Sequence, residues 1–329
     1  MKETKRLAIF AGYDKDNIID DYVVYYIKEL KKVADIIYVS DCNISDSELE
    51  KISSYCIHII NGRHGEYDFG SYKRGYIYAK EKDILKDYDY IILCNDSVFG
   101  PIFNLEEIVK NIENKNTDVW GIFKSLKDSY YDDHLQSYFI SIKQKVYISA
   151  EFYNFILSIK KESDKNNVIA KYEIGLSQLF KENNYSISYF LDSSLNLNLN
   201  RNTPLFDPYI SITNGFPFLK TYIFKHYMYL KQYGLQMNIK KLKNLIKIIS
   251  KHYDIQLIID YLLRIDAKIP RLENFNKCII SKKLLYIDGK YINDYKYQIF
   301  IIIFNFINIT INIPKKFLYY SNFNFLIKR

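Results

Sequence analysis

Tyr67-Asp68-Phe69-Gly70-Ser71-Tyr72-Lys73-Arg74-Gly75, a helical run, and then Tyr90-Ile91-Ile92-Leu93-Cys94-Asn95-Asp96-Ser97-Val98-Phe99-Gly100-Pro101 form the stretch that decides the fold. The second half is a short apolar run that stops at Asn-Asp-Ser and breaks at Gly-Pro. A short continuous apolar run bounded by turn residues reads as a strand buried on both faces. A carboxylate at the carboxyl end of such a strand, here Asp96, stands where open α/β sheets bind ligands. The first half sets a glycine turn and two cations, Lys73 and Arg74, at the start of a helix expected over 71–85, with Ser71 as its cap. Helix-terminal N–H groups with cations beside them suit a diphosphate.

The same pattern repeats on the amino-terminal side. Leu7-Ala8-Ile9-Phe10-Ala11 is an apolar run ended by Gly12-Tyr13-Asp14. Val23, Tyr26, Ile27, Leu30 and Val33 then recur at helical spacing. Ile36 to Ser40 reads as a second strand ending at Asp41, and Cys56 to Gly62 as a third. Ser45 or Asp46 is placed to cap the short helix between them. Strand–helix alternation over this length predicts an α/β fold with a mixed, mostly parallel sheet flanked by helices. Downstream, Asn104 is placed to cap a helix over 105–112, and strands are expected over 118–123, 135–142 and 185–191. Helices are expected from Ser149 to Ile159 and from Val168 to Glu182.

The turn-rich stretch from Asp207-Pro208 to Phe216-Pro217 marks a domain boundary near 214, dividing residues 1–214 from 215–329. The second region reads as a basic extension of helices, over 218–233 and 239–249, and a hairpin turning at Asp288-Gly289. Charge divides at the same point. Residues 215–329 hold 20 Lys+Arg and 6 Asp+Glu; taken from totals of 46 and 38, this leaves 26 and 32 for residues 1–214. A basic, aromatic segment favours an anionic surface such as the inner face of the cytoplasmic membrane. The acidic first two-thirds argue against a nucleic-acid partner. Cys42, Cys56, Cys94 and Cys278 form no CxxC pair and read as reduced thiols of a cytoplasmic protein without a zinc site. The opening MKETKRLAIFAGYDKD is too short in its apolar part for a signal peptide. The apolar run 297–313 is interrupted by Asn, Gln and Thr, and its end alternates with period two, which predicts a strand rather than a membrane span.

With these elements placed, the first 225 residues resemble the rhamnan synthesis protein F family of bacterial polysaccharide glycosyltransferases. The matching segments are Ala11-Gly12-Tyr13-Asp14, Tyr67 to Tyr72, Asn95-Asp96-Ser97 with Phe99-Gly100-Pro101, Trp120-Gly121, His134 to Phe139, Tyr172 to Ser177 and Pro217-Phe218-Leu219-Lys220. The resemblance implies a GT-A-like nucleotide-binding domain that transfers a sugar, rhamnose or another deoxy sugar being favoured, from a nucleoside-diphosphate donor. The acceptor it implies is a lipid-linked or oligosaccharide chain of a capsule or O-antigen-type polysaccharide, with inversion at the anomeric carbon. It places Asp41 where a carboxylate contacts the base, and Asn95-Asp96-Ser97 where a DxD motif holds a metal. One carboxylate stands here where DxD has two.

Glycosyl transfer needs charge stabilisation on the leaving diphosphate, a base for the acceptor hydroxyl and an in-line geometry. Asp96 is the expected metal ligand and leaving-group residue, for Mg2+ or Mn2+ shared with donor phosphates. Asn95, Ser97, Tyr13, Asp14, Asp41, Arg63, Ser71, Lys73 and Arg74 are the expected donor contacts. His134 and Gln136, two apart on a strand, share a face. With Asp133 they form the expected acceptor and catalytic side, and Asp132 and Asp133 are the alternatives to Glu173 as base. Glu173, at the start of a helix, is the expected base. The alternatives are a heptose or hexose donor on the same fold, and a non-catalytic scaffold of a polysaccharide synthesis complex.

Overall fold

A computed structural model of the chain describes residues 4–128, 131–196, 202–226, 230 and 232–265. Four parallel strands open the fold. β1 (Arg6–Gly12) lies between β2 (Asp35–Ser40) and β4 (Tyr90–Asn95), and β3 (His58–Ile60) lies outside β2. Leu7, Ala8, Ile9 and Phe10 are fully buried, as are Ile91 and Ile92. Each buried side chain of this size contributes roughly 1.5–3 kcal/mol. β1 and β4 are accordingly covered on both faces, and the apolar runs that predict them need no alternation.

Helices follow these strands as expected. α1 (Asp21–Leu30) buries Tyr22, Val23, Tyr26, Ile27 and Leu30. α2 (Asp46–Ser53) joins β2 to β3. α3 (Tyr67–Glu81) packs on β1 through Gly75, where a Cβ would stand 2.4 Å from Ile9 Cγ2. This helix begins four residues earlier than its glycine turn predicts, so Ser71 lies within it, buried, and is not its cap. β5 (Val98–Phe99) follows the Asn-Asp-Ser turn, and Asn104 caps α4 (Leu105–Glu113) by accepting from Glu107 N at 3.2 Å.

Beyond β4 the sheet becomes mixed. β6 (Val119–Ser125), β7 (His134–Leu135), β8 (Phe139–Lys143) and β9 (Ile187–Asp192) complete the order β3-β2-β1-β4-β8-β6-β7, with β9 parallel to β6. The single strand expected over 135–142 is two strands broken at Ser137. Ser149 caps the helix Ala150–Ser158 as expected. The chain is helical again from Lys165 to Glu182, with a π turn over Ile169–Ile174.

Compact structure extends past the expected boundary at 214. All the described residues, those beyond 214 included, fall within one unit. Residues 218–225 are not one helix: β10 (Leu219–Lys220) pairs antiparallel with β5, and a short helix Tyr222–Lys225 follows. The helix Ile239–Ile249 forms where predicted, and the helix Ile255–Ile265 packs its Tyr261 edge-on against Tyr22 of α1. The boundary signal at Pro208 and Pro217 marks turns within this unit. The hairpin at 284–292, the alternating run 306–313 and Cys278 lie outside the described residues. Cys42, Cys56 and Cys94 are free thiols. Among the described residues no helix is long and apolar enough to cross a membrane.

Candidate active site

The carboxyl ends of β1 and β4 bring Tyr13 and Asp96 together. Asp96 Oδ2 accepts from Tyr13 N at 2.7 Å, and its Oδ1 has no hydrogen-bond partner among the described residues. Burial pushes the Asp96 carboxyl up to about 7, with the nearby charge of Asp68 adding to the shift and Tyr13 N–H opposing it. Asn95 and Ser97 brace the turn: Asn95 Oδ1 accepts from Ser97 N at 3.1 Å and Oγ at 2.6 Å, while Asn95 Nδ2 donates to Asp68 Oδ2 at 2.8 Å. Burial also raises the Asp68 carboxyl, against the pull of Lys165.

Glu173 is anchored at the break between β7 and β8, and its charge reaches Asp68, the partner of Asn95. Its Oε1 accepts from Ser137 N at 2.6 Å and Ser137 Oγ at 2.8 Å, and its Oε2 has no hydrogen-bond partner among the described residues. It sits inside the π turn, not at a helix start as expected, so no N-terminal dipole bears on it. The wider turn re-aims a side chain locally, a common use of π segments. Gln136-Ser137-Tyr138 acts as a hub. Ser137 orients Glu173, Gln136 Oε1 accepts from Lys220 Nζ at 2.6 Å, and the Lys220 ammonium lies 4.6 Å from the Tyr138 ring centre.

Several expected donor contacts are engaged with the protein itself. Asp41 Oδ1 accepts from His64 N at 2.8 Å and Gly65 N at 2.6 Å, and its Oδ2 accepts from Tyr67 N at 3.3 Å. Asp41 thus holds the loop that enters α3. Ser71 Oγ bonds the His64 ring at 3.0 Å. Lys73 Nζ donates to Ile159 O at 2.7 Å and Leu157 O at 3.2 Å, and Arg74 pairs with Glu66 at 2.6 Å. Asp14 pairs with Arg264 at 2.6 Å, and Arg264 also pairs with Asp20 at 2.5 Å. Arg63 is exposed, its guanidinium 5.7 Å from the exposed Tyr13 ring.

The expected acceptor face separates in the same way. His134 Nδ1 lies 2.8 Å from Asp132 O, whereas Gln136, beyond the end of β7, serves Lys220. Asp133 pairs with Lys124 at 2.9 Å and Lys181 at 2.7 Å, and those bonds outweigh its burial and hold its carboxyl down at about 2. Asp132 pairs with Lys127 at 2.8 Å. The depression lined by Glu151, Phe155, Lys160, Glu162, Lys171 and Tyr172 is a different surface, where Glu162 is already paired with Lys171.

Asp68, Lys220, Lys225 and Arg264 are the site's neighbours that spacing does not reveal. Asp68 and Lys220 lie within segments that carry the resemblance, so they were within reach of a closer reading. Arg264 follows from tertiary folding alone.

A divalent ion tests the donor set. Among the described residues no three His, Cys, Asp or Glu side chains are grouped to hold a metal. Asp96, a hard oxygen donor with a free Oδ1, fits an ion shared with phosphate and water rather than a protein-built cage.

Fold and site define an open α/β protein with a cluster of charged side chains at the carboxyl edge of its sheet, where such folds bind ligands. The family description rhamnan synthesis protein F matches residues 36–318, and the chain belongs to that family. The uncharacterized protein y4gN of Sinorhizobium fredii is 27% identical over 212 residues, a match that takes in 62% of this chain and 55% of that protein. The chain therefore spans about half the length of this curated relative. Solved structures similar to it include core-mannan synthase A of Aspergillus fumigatus in its Mn/GDP form, with 10% identity, 57% of this chain, 73% of that one and a TM-score of 0.38. Another is TarS 1–349 of S. aureus, with 13% identity, 77% and 82% coverage and a TM-score of 0.35.

Proposed function

We propose that the protein is a nucleotide-sugar glycosyltransferase that extends a cell-surface polysaccharide, of capsule or O-antigen type, on the cytoplasmic side of the membrane. Rhamnose or another deoxy sugar is the favoured donor sugar, consistent with the family. The observation that supports this is a pair of carboxylates, Asp96 and Glu173, linked through Asp68 and each with one oxygen fixed by the protein and one without a hydrogen-bond partner among the described residues. Glu173 Oε2 takes the proton of the acceptor hydroxyl as its oxygen attacks the anomeric carbon. The bond from that carbon to the diphosphate breaks, and its electron pair stays on the diphosphate. Attack from the Glu173 side, opposite the leaving group, inverts the anomeric centre.

The exposed Tyr13 ring beside Arg63 suits a nucleobase at the edge of the crevice. A divalent ion, Mg2+ or Mn2+, would be held by Asp96 with phosphate and water oxygens, offsetting charge on the leaving group. Lys240, Lys243 and Lys247 are exposed along the helix Ile239–Ile249, which suits attachment to anionic lipid where a lipid-linked acceptor sits.

The test is a screen of nucleoside-diphosphate sugars for release of the nucleoside diphosphate, with and without Mg2+ or Mn2+. One donor is expected to be consumed, and Asp96→Asn to abolish its use. Consumption of no donor, with polymer assembly in cells unaffected by Asp96→Asn, would leave a scaffold and sink the enzyme.

A further inference from the structure

We infer that the diphosphate of the donor is held by Lys220 and Lys225, cations of the segment after Pro217, and not by Lys73 and Arg74. This rests on the nucleotide-sugar function proposed above and names the anion-binding half of the same site.

The segment is fastened to the Asp96 turn by backbone bonds. Ile102 N donates to Pro217 O at 2.7 Å. Ser97 O accepts both Thr221 N at 3.0 Å and Thr221 Oγ1 at 3.1 Å. Between those points β10 pairs with β5, Leu219 opposite Phe99 and Lys220 opposite Val98. Alternation along a strand buries Leu219 in the core and turns Lys220 the other way. Lys220 and Lys225 thus flank Thr221, which is tied to the residue after Asp96.

Neither lysine has an ion-pair partner among the described residues. Lys220 Nζ meets a neutral amide oxygen, that of Gln136, and the face of Tyr138. Lys225 Nζ lies 5.2 Å from the Tyr261 ring centre. For Lys220, a desolvated ammonium without a counter-ion is unfavourable, and an anion from solution relieves that cost. Burial draws the Lys220 ammonium down to about 8, Lys165 adding to the shift and Glu173 opposing it. Lys225 is exposed, and the charges of Asp96 and Asp14 favour its charged form.

Charge at the crevice requires such cations. Asp68, Asp96 and Glu173 gather there, and a diphosphate entering among them is repelled unless positive charge offsets it. Arg264 is spent on Asp14 and Asp20, Arg74 on Glu66 and Lys73 on carbonyls. Among the described residues Lys220 and Lys225 are the cations of the segment tied to the Asp96 turn that form no ion pair, and Lys165, whose charge reaches Asp68 and Lys220, adds to the same positive field.

The experiment titrates the full chain with dTDP, UDP, GDP and CDP in EDTA, followed by calorimetry. The wild type is expected to bind at least one. Lys220→Met should weaken it by about tenfold or more and Lys225→Gln by about threefold or more, as lost charge-assisted hydrogen bonds imply. Lys73→Met and Arg74→Gln should stay within about twofold of wild type, their cations being remote from the ligand. Lys225 is exposed, so its substitution tolerates folding and carries the test alone if Lys220→Met is unstable. Binding unchanged in both Lys220→Met and Lys225→Gln overturns the inference and leaves the glycosyltransferase standing. Absence of binding by the wild type to all four nucleotides, in EDTA and with Mg2+ or Mn2+ alike, overturns both.

Discussion

Lys73 and Lys220 both come from stretches rich in aromatics and turn residues, yet their ammonium groups are occupied differently. Lys73 donates to two main-chain carbonyls at the end of the helix Ala150–Ser158. Lys220 donates to a single amide oxygen and rests on a ring. The same contrast separates Asp133, paired with two lysines, from Glu173, whose Oε2 has no hydrogen-bond partner among the described residues. Charged residues of the parallel half and its loops largely hold the protein together. Those on the Gln136–Tyr138 hub and the segment after Pro217 are oriented but not consumed. A charge in a favourable sequence context marks a site only if folding leaves it unspent.

The carboxylates offer the largest test of that contrast. Glu173→Gln keeps the bonds from Ser137 possible but removes the base, and kcat should fall by about 10²–10⁴. Asp133→Asn should cost stability and leave kcat near wild type. Comparable losses of kcat in both variants would erase the distinction.

Gly100 sharpens the same comparison through the backbone. Its φ is +138° and a Cβ would stand 2.5 Å from Pro217 O, where the carboxyl segment meets the Asp96 turn. Gly100→Ala should cost about 1–3 kcal/mol of stability and loosen diphosphate affinity together with it. Unfolding by denaturant and calorimetry read the two effects; a loss of stability without a change in affinity would mean that the segment does not position the lysines.

Acidity gives a smaller effect with opposite signs for binding and stability. The Lys220 ammonium is lost as pH rises through about 8, so diphosphate affinity should fall above that pH, and Lys220→Met should flatten the fall. Its pKa is depressed on folding, so the unfolded chain binds more protons between about 8 and the ordinary lysine value. Lys220's contribution to stability should therefore rise with pH across that window. An affinity that is flat to pH 9 in the wild type would contradict this role. The smallest effect belongs to Lys73→Met, expected to cost about 0.5–1.5 kcal/mol of stability while leaving affinity and turnover unchanged.

The four parallel strands were legible because apolar runs such as Leu7–Ala11 and Tyr90–Cys94 are buried on both faces and end at turn residues. The start of α3 was displaced because Asp41, distant in sequence, caps it through His64, Gly65 and Tyr67. Over 218–225 the expected helix is instead a strand and a short helix, because β5 offers an unpaired edge that β10 takes. Propensity carries no information about such an edge. At the site, Asp96 and Glu173 could be singled out from their motifs, whereas the pairing of Asp14 with Arg264, 250 residues away, could not. The direction of Lys73 and Arg74 away from any shared anion site was likewise invisible, since i,i+1 spacing says nothing of what each side chain meets.

A crystal structure of the full chain with its nucleoside diphosphate bound tests the central claim most directly. Phosphate oxygens are expected within hydrogen-bond reach, about 2.7–3.2 Å, of Lys220 Nζ, with the diphosphate between Asp96 and Glu173 and the base near Tyr13. A diphosphate seated on Lys73 and Arg74, or bound away from the carboxyl edge of β1 and β4, would contradict it.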